Sequence, residues 1–153
     1  MMIQSKGKDH ILQKLKEKHN ELKAIFEKYE NVNCAYVFGS SVKGNFTSES
    51  DIDFAILTED ENFEEKTILA YELEKTLNFI MPVDLVVLNK QKLIFQHNVI
   101  KEGKIVYERD RIKRVQFEMK VMKDYCELEP HLRFMEKYRT KGLLRRLNRG
   151  KVW

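Results

Sequence analysis

The sequence predicts an α/β domain in which helices and short strands alternate, and three observations predict it. Runs such as Cys34-Ala35-Tyr36-Val37-Phe38 and Val83-Asp84-Leu85-Val86-Val87-Leu88 are short, apolar and bounded by turn residues, as strands are. The stretches between such runs repeat apolar residues at helical spacing. The 153 residues, 42% hydrophobic and 34% charged, suit a single globular core.

The elements follow in order. Over 8–30, Ile11, Leu12, Leu15, Leu22, Ile25, Phe26 and Tyr29 share one face, which predicts an amphipathic helix packed on a sheet. The run Cys34 to Phe38 is the first strand, stopped by Gly39-Ser40. Gly44, Asn45, Thr47 and Ser48 mark a loop before the second strand, Ile52 to Leu57. A helix over 64–80 carries Glu64 and Glu65 in its first turn, where the helix dipole favours them, and Ile68, Leu69, Leu73 and Leu77 on its buried side. Pro82 ends it, and Val83 to Leu88 is the third strand.

Asn89 is placed to cap a helix over 90–102 that Gly103 terminates, and Lys104 to Tyr107 is a short edge strand. From Asp110 the chain is helical again. Ile112, Val115, Met119, Met122 and Cys126 form a stripe suited either to the sheet or to a partner chain, until Pro130 interrupts it.

Cys34 and Cys126 form no CxxC or Cys/His cluster, so neither a disulfide framework nor a zinc site is expected. The N-terminus lacks the apolar stretch of a signal peptide, and no run approaches the roughly 18 apolar residues of a membrane span, so the expected location is cytoplasmic. His10, His19, His97 and His131 share no metal-ligand spacing.

The net charge of +4 is unevenly spread. Residues 137–153 hold seven basic residues and no acidic one, leaving 21 basic against 24 acidic residues, a net −3, in residues 1–136. The expected organisation is therefore a single domain over 1–136 with a basic tail over 137–153. Nucleic acid is not an expected partner outside that tail.

The chemistry is carried by Gly39-Ser40, ten intervening residues, then Asp51-Ile52-Asp53. Alternation along a strand points Asp51 and Asp53 the same way. Two like charges on one face imply solvent or a divalent cation, and Mg²⁺ suits hard carboxylate oxygens combined with substrate phosphates. A glycine ending a strand lets the backbone approach a phosphate, and a helix starting at Ser40 aims N–H groups at an anion. Lys43 is set aside as a solvated loop lysine. Asp84 is the one ionisable group of the third strand, and a carboxylate in an apolar run is costly to maintain without a role. If that strand lies beside the second, the three aspartates make a two-metal centre for in-line displacement at phosphorus.

This pattern, with Gly44 and Ser50 in their usual places, resembles the minimal nucleotidyltransferases, or MNT domains, of the polymerase β superfamily. The resemblance covers roughly residues 32–107, and the following helix also looks like the family's C-terminal extension. It implies a polymerase β-like core: a mixed, mostly antiparallel sheet of about four strands with helices on one face. It implies that Gly39 and Ser40 hold the nucleotide phosphates and that Asp51, Asp53 and Asp84 bind two catalytic Mg²⁺ ions. It further implies ATP as donor and a HEPN-domain ribonuclease toxin as partner, which such antitoxins silence by transferring AMP to a tyrosine, in a hetero- or homo-oligomer. Two alternatives share the motif: a small-molecule nucleotidyltransferase of the aminoglycoside-modifying type, and a non-catalytic antitoxin that acts by contact alone. No residue pattern selects the nucleotide base.

Overall fold

The computed structural model describes residues 11–43 and 51–149. Helix α1 covers 11–17 and α2 His19–Glu27, so the helix expected over 8–30 is two helical segments separated by a turn at Lys18, with residues 8–10 outside the described ones. Strand β1 is Val32–Phe38, the short helix α3 Ser40–Lys43, and β2 Ile52–Thr58. Then come α4 Lys66–Thr76, β3 Val83–Val87, a 3₁₀ turn at Leu88–Lys90, α5 Leu93–Glu102, β4 Lys104–Glu108 and α6 Arg111–Arg149. The loop signals at Gly44, Asn45, Thr47 and Ser48 fall outside the described residues.

The four strands form one mixed sheet in the order β3-β2-β1-β4. β1 is antiparallel to both β2 and β4, and β2 is parallel to β3. A parallel neighbour requires a crossover, and α4 supplies it. Asn78 and Phe79, at φ 57° and 53°, stop α4 and turn the chain back toward β3.

Alternation along β1 to β3 divides the interior in two. Val32, Ala35, Val37, Phe54, Ile56 and Leu85 face α1, α2 and α4. There Phe26 stacks on Tyr107, ring centroids 5.3 Å apart, and lies tilted against Phe54. Cys34, Tyr36, Ala55 and Leu57 face the other way, against Leu88 and Val99, with Phe38, Val86, Phe95 and Phe117 packed around them. The expectation of helices on one face is therefore corrected: α5 and the start of α6 cover the second. Strands apolar at both parities can be stable only when both faces are covered.

Other expectations are refined by packing. Ile68, expected inside, is 60% exposed, while Leu69, Leu73 and Leu77 are buried. Asn89 does not cap α5. Its side chain instead bridges β2, accepting from the Thr58 amide at 3.0 Å and donating to the Thr58 carbonyl at 2.7 Å. Pro130, expected to interrupt the last helix, lies within α6, which continues to Arg149. The proline removes one hydrogen bond, but strong helix formers such as Glu129, Leu132 and Met135 flank it on an exposed stretch. Nor does the stripe Ile112 to Cys126 pack on the sheet. Phe117, Glu118 and Val121 do so, and Ile112 and Met119 are 70% and 67% exposed.

α6 is fixed to the sheet by polar groups as well as apolar ones. The buried Tyr36 hydroxyl donates to Glu118 Oε1 at 2.6 Å. Arg114 donates to Glu118 at 2.9 Å and to Glu108 at 2.5 Å. His97 of α5 stacks on Tyr125 of α6, centroids 3.5 Å apart and 4° from parallel. Among the described residues, no helix is long and apolar enough to cross a membrane.

Candidate active site

The carboxylates gather where the parallel pair begins. The Ile52 amide donates to the Pro82 carbonyl at 2.9 Å, which sets the register Ile52 to Val83 and therefore Asp53 to Asp84. The Val83 amide donates to Glu74 Oε1 at 2.8 Å, tying the start of β3 to α4. Residues opposite each other in register point to the same face, so Asp53 and Asp84 stand side by side on the face that carries Ala55 and Val86. Asp51, two residues before Asp53, lies just ahead of β2 and is exposed.

The three aspartates differ in setting. Asp84 and Asp51 are exposed, whereas Asp53 is half-buried. Burial, then Asp84, then Asp51, pushes the Asp53 carboxyl up to about 6. A carboxylate opposed by desolvation and two like neighbours is one that a cation would stabilise, because attraction to a nearby positive charge offsets both the desolvation and the repulsion. Among the described residues, no three His, Cys, Asp or Glu side chains are drawn into one metal-binding cluster. What the fold provides is an adjacent Asp53–Asp84 pair with Asp51 within electrostatic reach. This all-oxygen donor set fits Mg²⁺ rather than a softer metal.

Across the sheet, Asp53 is opposite Phe38, and Gly39 follows at once. Gly39 has φ +78°, and a Cβ built there collides with Asp53 Oδ2. The glycine is therefore needed twice, for a left-handed turn out of β1 and for the space the Asp53 carboxylate occupies. The sequence motif marked Gly39 as a phosphate neighbour; the carboxylate neighbour becomes visible only once β1 and β2 are paired. The chain then enters α3 at Ser40, and the Val42 amide donates to the Gly39 carbonyl at 3.1 Å. Gly44 and Ser50 lie outside the described residues.

Sequence reasoning missed the wall beside the carboxylates. Phe38 meets Phe95 of α5 edge-on, centroids 5.4 Å apart, and so closes the hydrophobic side next to Asp53. The signal was present in the parity of β1, but it required knowing that α5 covers this face. A groove of about 830 Å³ between α5 and α6, lined by His97, Val115, Met119 and Met122 among others, includes none of the aspartates. Its charged lining residues, Lys101, Glu118 and Glu129, include no carboxylate pair set side by side by strand register, so the chemistry belongs at Asp53 and Asp84.

The chain is similar to known proteins in sequence and in fold. One relative, the protein adenylyltransferase MntA of Aphanizomenon flos-aquae (strain 2012/KM1/D3), is 28% identical over 102 residues, spanning 61% of this chain and 68% of that protein. A chain of a toxin–antitoxin crystal structure with AMP-PNP superposes with a TM-score of 0.65 at 23% identity, covering 80% of this chain and 98% of the other. A chain from the tri-AMPylated Shewanella oneidensis HEPN toxin in complex with its MNT antitoxin gives 0.62 at 22% identity, covering 82% and 98%. At these identities the structural matches establish the fold. Residues 20–112, well over half the chain, match the family described as Polymerase beta, Nucleotidyltransferase, and the protein belongs to that family of nucleotidyltransferases.

Proposed function

We propose that this protein is a Mg²⁺-dependent protein adenylyltransferase that moves AMP from ATP onto a tyrosine of a HEPN-domain ribonuclease toxin and so silences it. The observation that carries the reading is the register that sets Asp53 beside Asp84 on adjacent parallel strands, with Asp51 within electrostatic reach and Gly39-Ser40 at the neighbouring strand end. The acceptor and partner are supported by the relative named as a protein adenylyltransferase and by the fold shared with a chain of an AMPylated toxin complex.

In this reading Asp51, just ahead of β2, and Asp53, on β2, are metal ligands and Asp84 is the third, from β3. Two Mg²⁺ ions, when bound, would neutralise the triphosphate and lower the pKa of the acceptor hydroxyl. The residues of the chain do the rest. Ser40 donates its hydroxyl to a triphosphate oxygen, and Gly39 leaves room for both the phosphate and the Asp53 carboxylate. Asp84, exposed at the site, accepts the proton of the tyrosine hydroxyl. The tyrosine oxygen attacks the α-phosphorus, the bond to the bridging oxygen breaks, and pyrophosphate departs opposite the attack.

The test is transfer of labelled AMP from ATP to the HEPN partner by the wild type and by Asp53→Asn. The variant keeps size and shape but loses a ligand charge, so transfer falls by about a thousandfold or more. Undiminished transfer by a folded Asp53→Asn protein would overturn the assignment. Transfer to a small molecule with no partner protein present would instead support the aminoglycoside-type alternative.

A further inference from the structure

We infer that the α5/α6 groove and the distal half of α6 are the two halves of one interface, and that they join two copies of this chain through antiparallel pairing of their α6 helices. α6 has 39 residues, about 58 Å at 1.5 Å per residue, and outreaches the domain it covers. Its distal half is exposed throughout from Arg133 to Leu147. Leu143 and Leu147 there are 58% and 57% exposed, more apolar surface than a solvated helix needs.

Three observations select a second copy as the occupant. The first is periodicity: the steps of three and four that run from Ile112 to Cys126 pass through a polar centre, Glu129, Arg133, Glu136 and Thr140, and return to apolar residues at Leu143 and Leu147. The face that lines the groove is thus also the face presented by the tail, as in a helix that packs on its own kind.

The second is length. The groove runs along α6 from Val115 to Glu129, and the exposed segment Arg133 to Leu147 has the same number of residues. Antiparallel pairing about a two-fold axis near His131 sets Val115 opposite Leu147, Met119 opposite Leu143 and Glu129 opposite Arg133 of the second copy. Each α6 both offers a tail and receives one, which closes the assembly at two chains.

The third is charge. The groove segment 115–129 carries four carboxylates and two lysines, a net −2, whereas the segment paired with it, 133–147, carries six basic residues and one carboxylate, a net +5. A parallel arrangement would place the two basic halves together. The antiparallel one lays each basic segment along the acidic groove segment of the other copy.

The test is the association state of the full-length chain by sedimentation velocity over about a hundredfold range of concentration. The wild type dimerises, and added salt weakens the dimer. Met119→Lys and Leu143→Glu, each alone, weaken association by about tenfold or more, with helical circular dichroism unchanged. Mixing the two restores a heterodimer, because one contact becomes a lysine–glutamate pair while the other remains Met119 on Leu143. A wild type that stays monomeric throughout overturns the inference, as does a dimer that neither variant weakens or a mixture that forms no heterodimer. A monomer whose groove is filled only by a different protein overturns it as well.

Discussion

The two faces of the sheet are made by the same strands and put to different use. On the first, β1 to β3 present Val32, Ala35, Val37, Phe54, Ile56 and Leu85 to α1, α2 and α4, and every one of these side chains is apolar and buried. On the second, the alternate positions of the same strands present Cys34, Tyr36, Asp53 and Asp84. Here burial acts on ionisable groups: it pushes the Cys34 thiol up to about 12 and raises the Tyr36 hydroxyl above its usual range. It also raises Asp53. One face holds the fold together, while the other uses part of that stability to keep the Asp53 carboxylate half out of water beside the exposed Asp84 and the left-handed turn at Gly39.

Substitutions on the two faces should therefore separate activity from stability. The largest effect is expected from Asp53→Asn and from Asp84→Asn, each lowering AMP transfer by about a thousandfold or more without lowering the melting temperature. Phe54→Ala, on the first face directly behind Asp53, should do the opposite. It removes a fully buried ring and destabilises by about 3–5 kcal/mol in urea titration, while activity per folded molecule is largely retained.

Gly39→Ala should injure both properties at once. A Cβ there displaces the Asp53 carboxylate and strains a positive φ, so transfer falls by about a hundredfold and stability by about 1–3 kcal/mol. A variant with wild-type transfer would show that Asp53 can move without consequence. Tyr36→Phe, which leaves Glu118 to Arg114 alone, should destabilise by about 1–2 kcal/mol without altering transfer.

The smallest effect is a pH dependence. Asp53 titrates near 6 in the fold against an ordinary aspartate value of 3.8, so the native state holds its proton more tightly than the unfolded chain does. In metal-free protein this group makes stability fall as pH rises from about 4 to about 6. Thermal melts of wild type and Asp53→Asn should diverge across that window and run parallel above it, and added Mg²⁺ should raise the wild-type curve at the upper end. Parallel curves throughout would mean that Asp53 is not held near its neighbours.

Much of this was legible in the chain. The first three strands and the crossover helix follow from period-two and period-three-to-four patterns, which are local. The adjacency of Asp53 and Asp84 is not local: it depends on the bond from the Ile52 amide to the Pro82 carbonyl, between residues thirty apart in sequence. The cover on the second face was hidden for a similar reason. Met119 and Phe117 are equally apolar in the sequence, and only the rotation of α6, fixed by Tyr36, Glu118 and Arg114, decides that Phe117 packs inward while Met119 faces away from the sheet. Pro130 misled because a helix-breaking residue tells of local strain and nothing of the favourable turns on either side.

The most direct test is intact-mass analysis of a HEPN-domain partner co-purified with this chain, before and after incubation with ATP and Mg²⁺. We expect the partner to gain whole adenylate increments with the wild type, and none with Asp53→Asn or with the metal chelated. An unmodified partner in every condition, with both proteins folded and associated, would contradict adenylyl transfer as the work of this site.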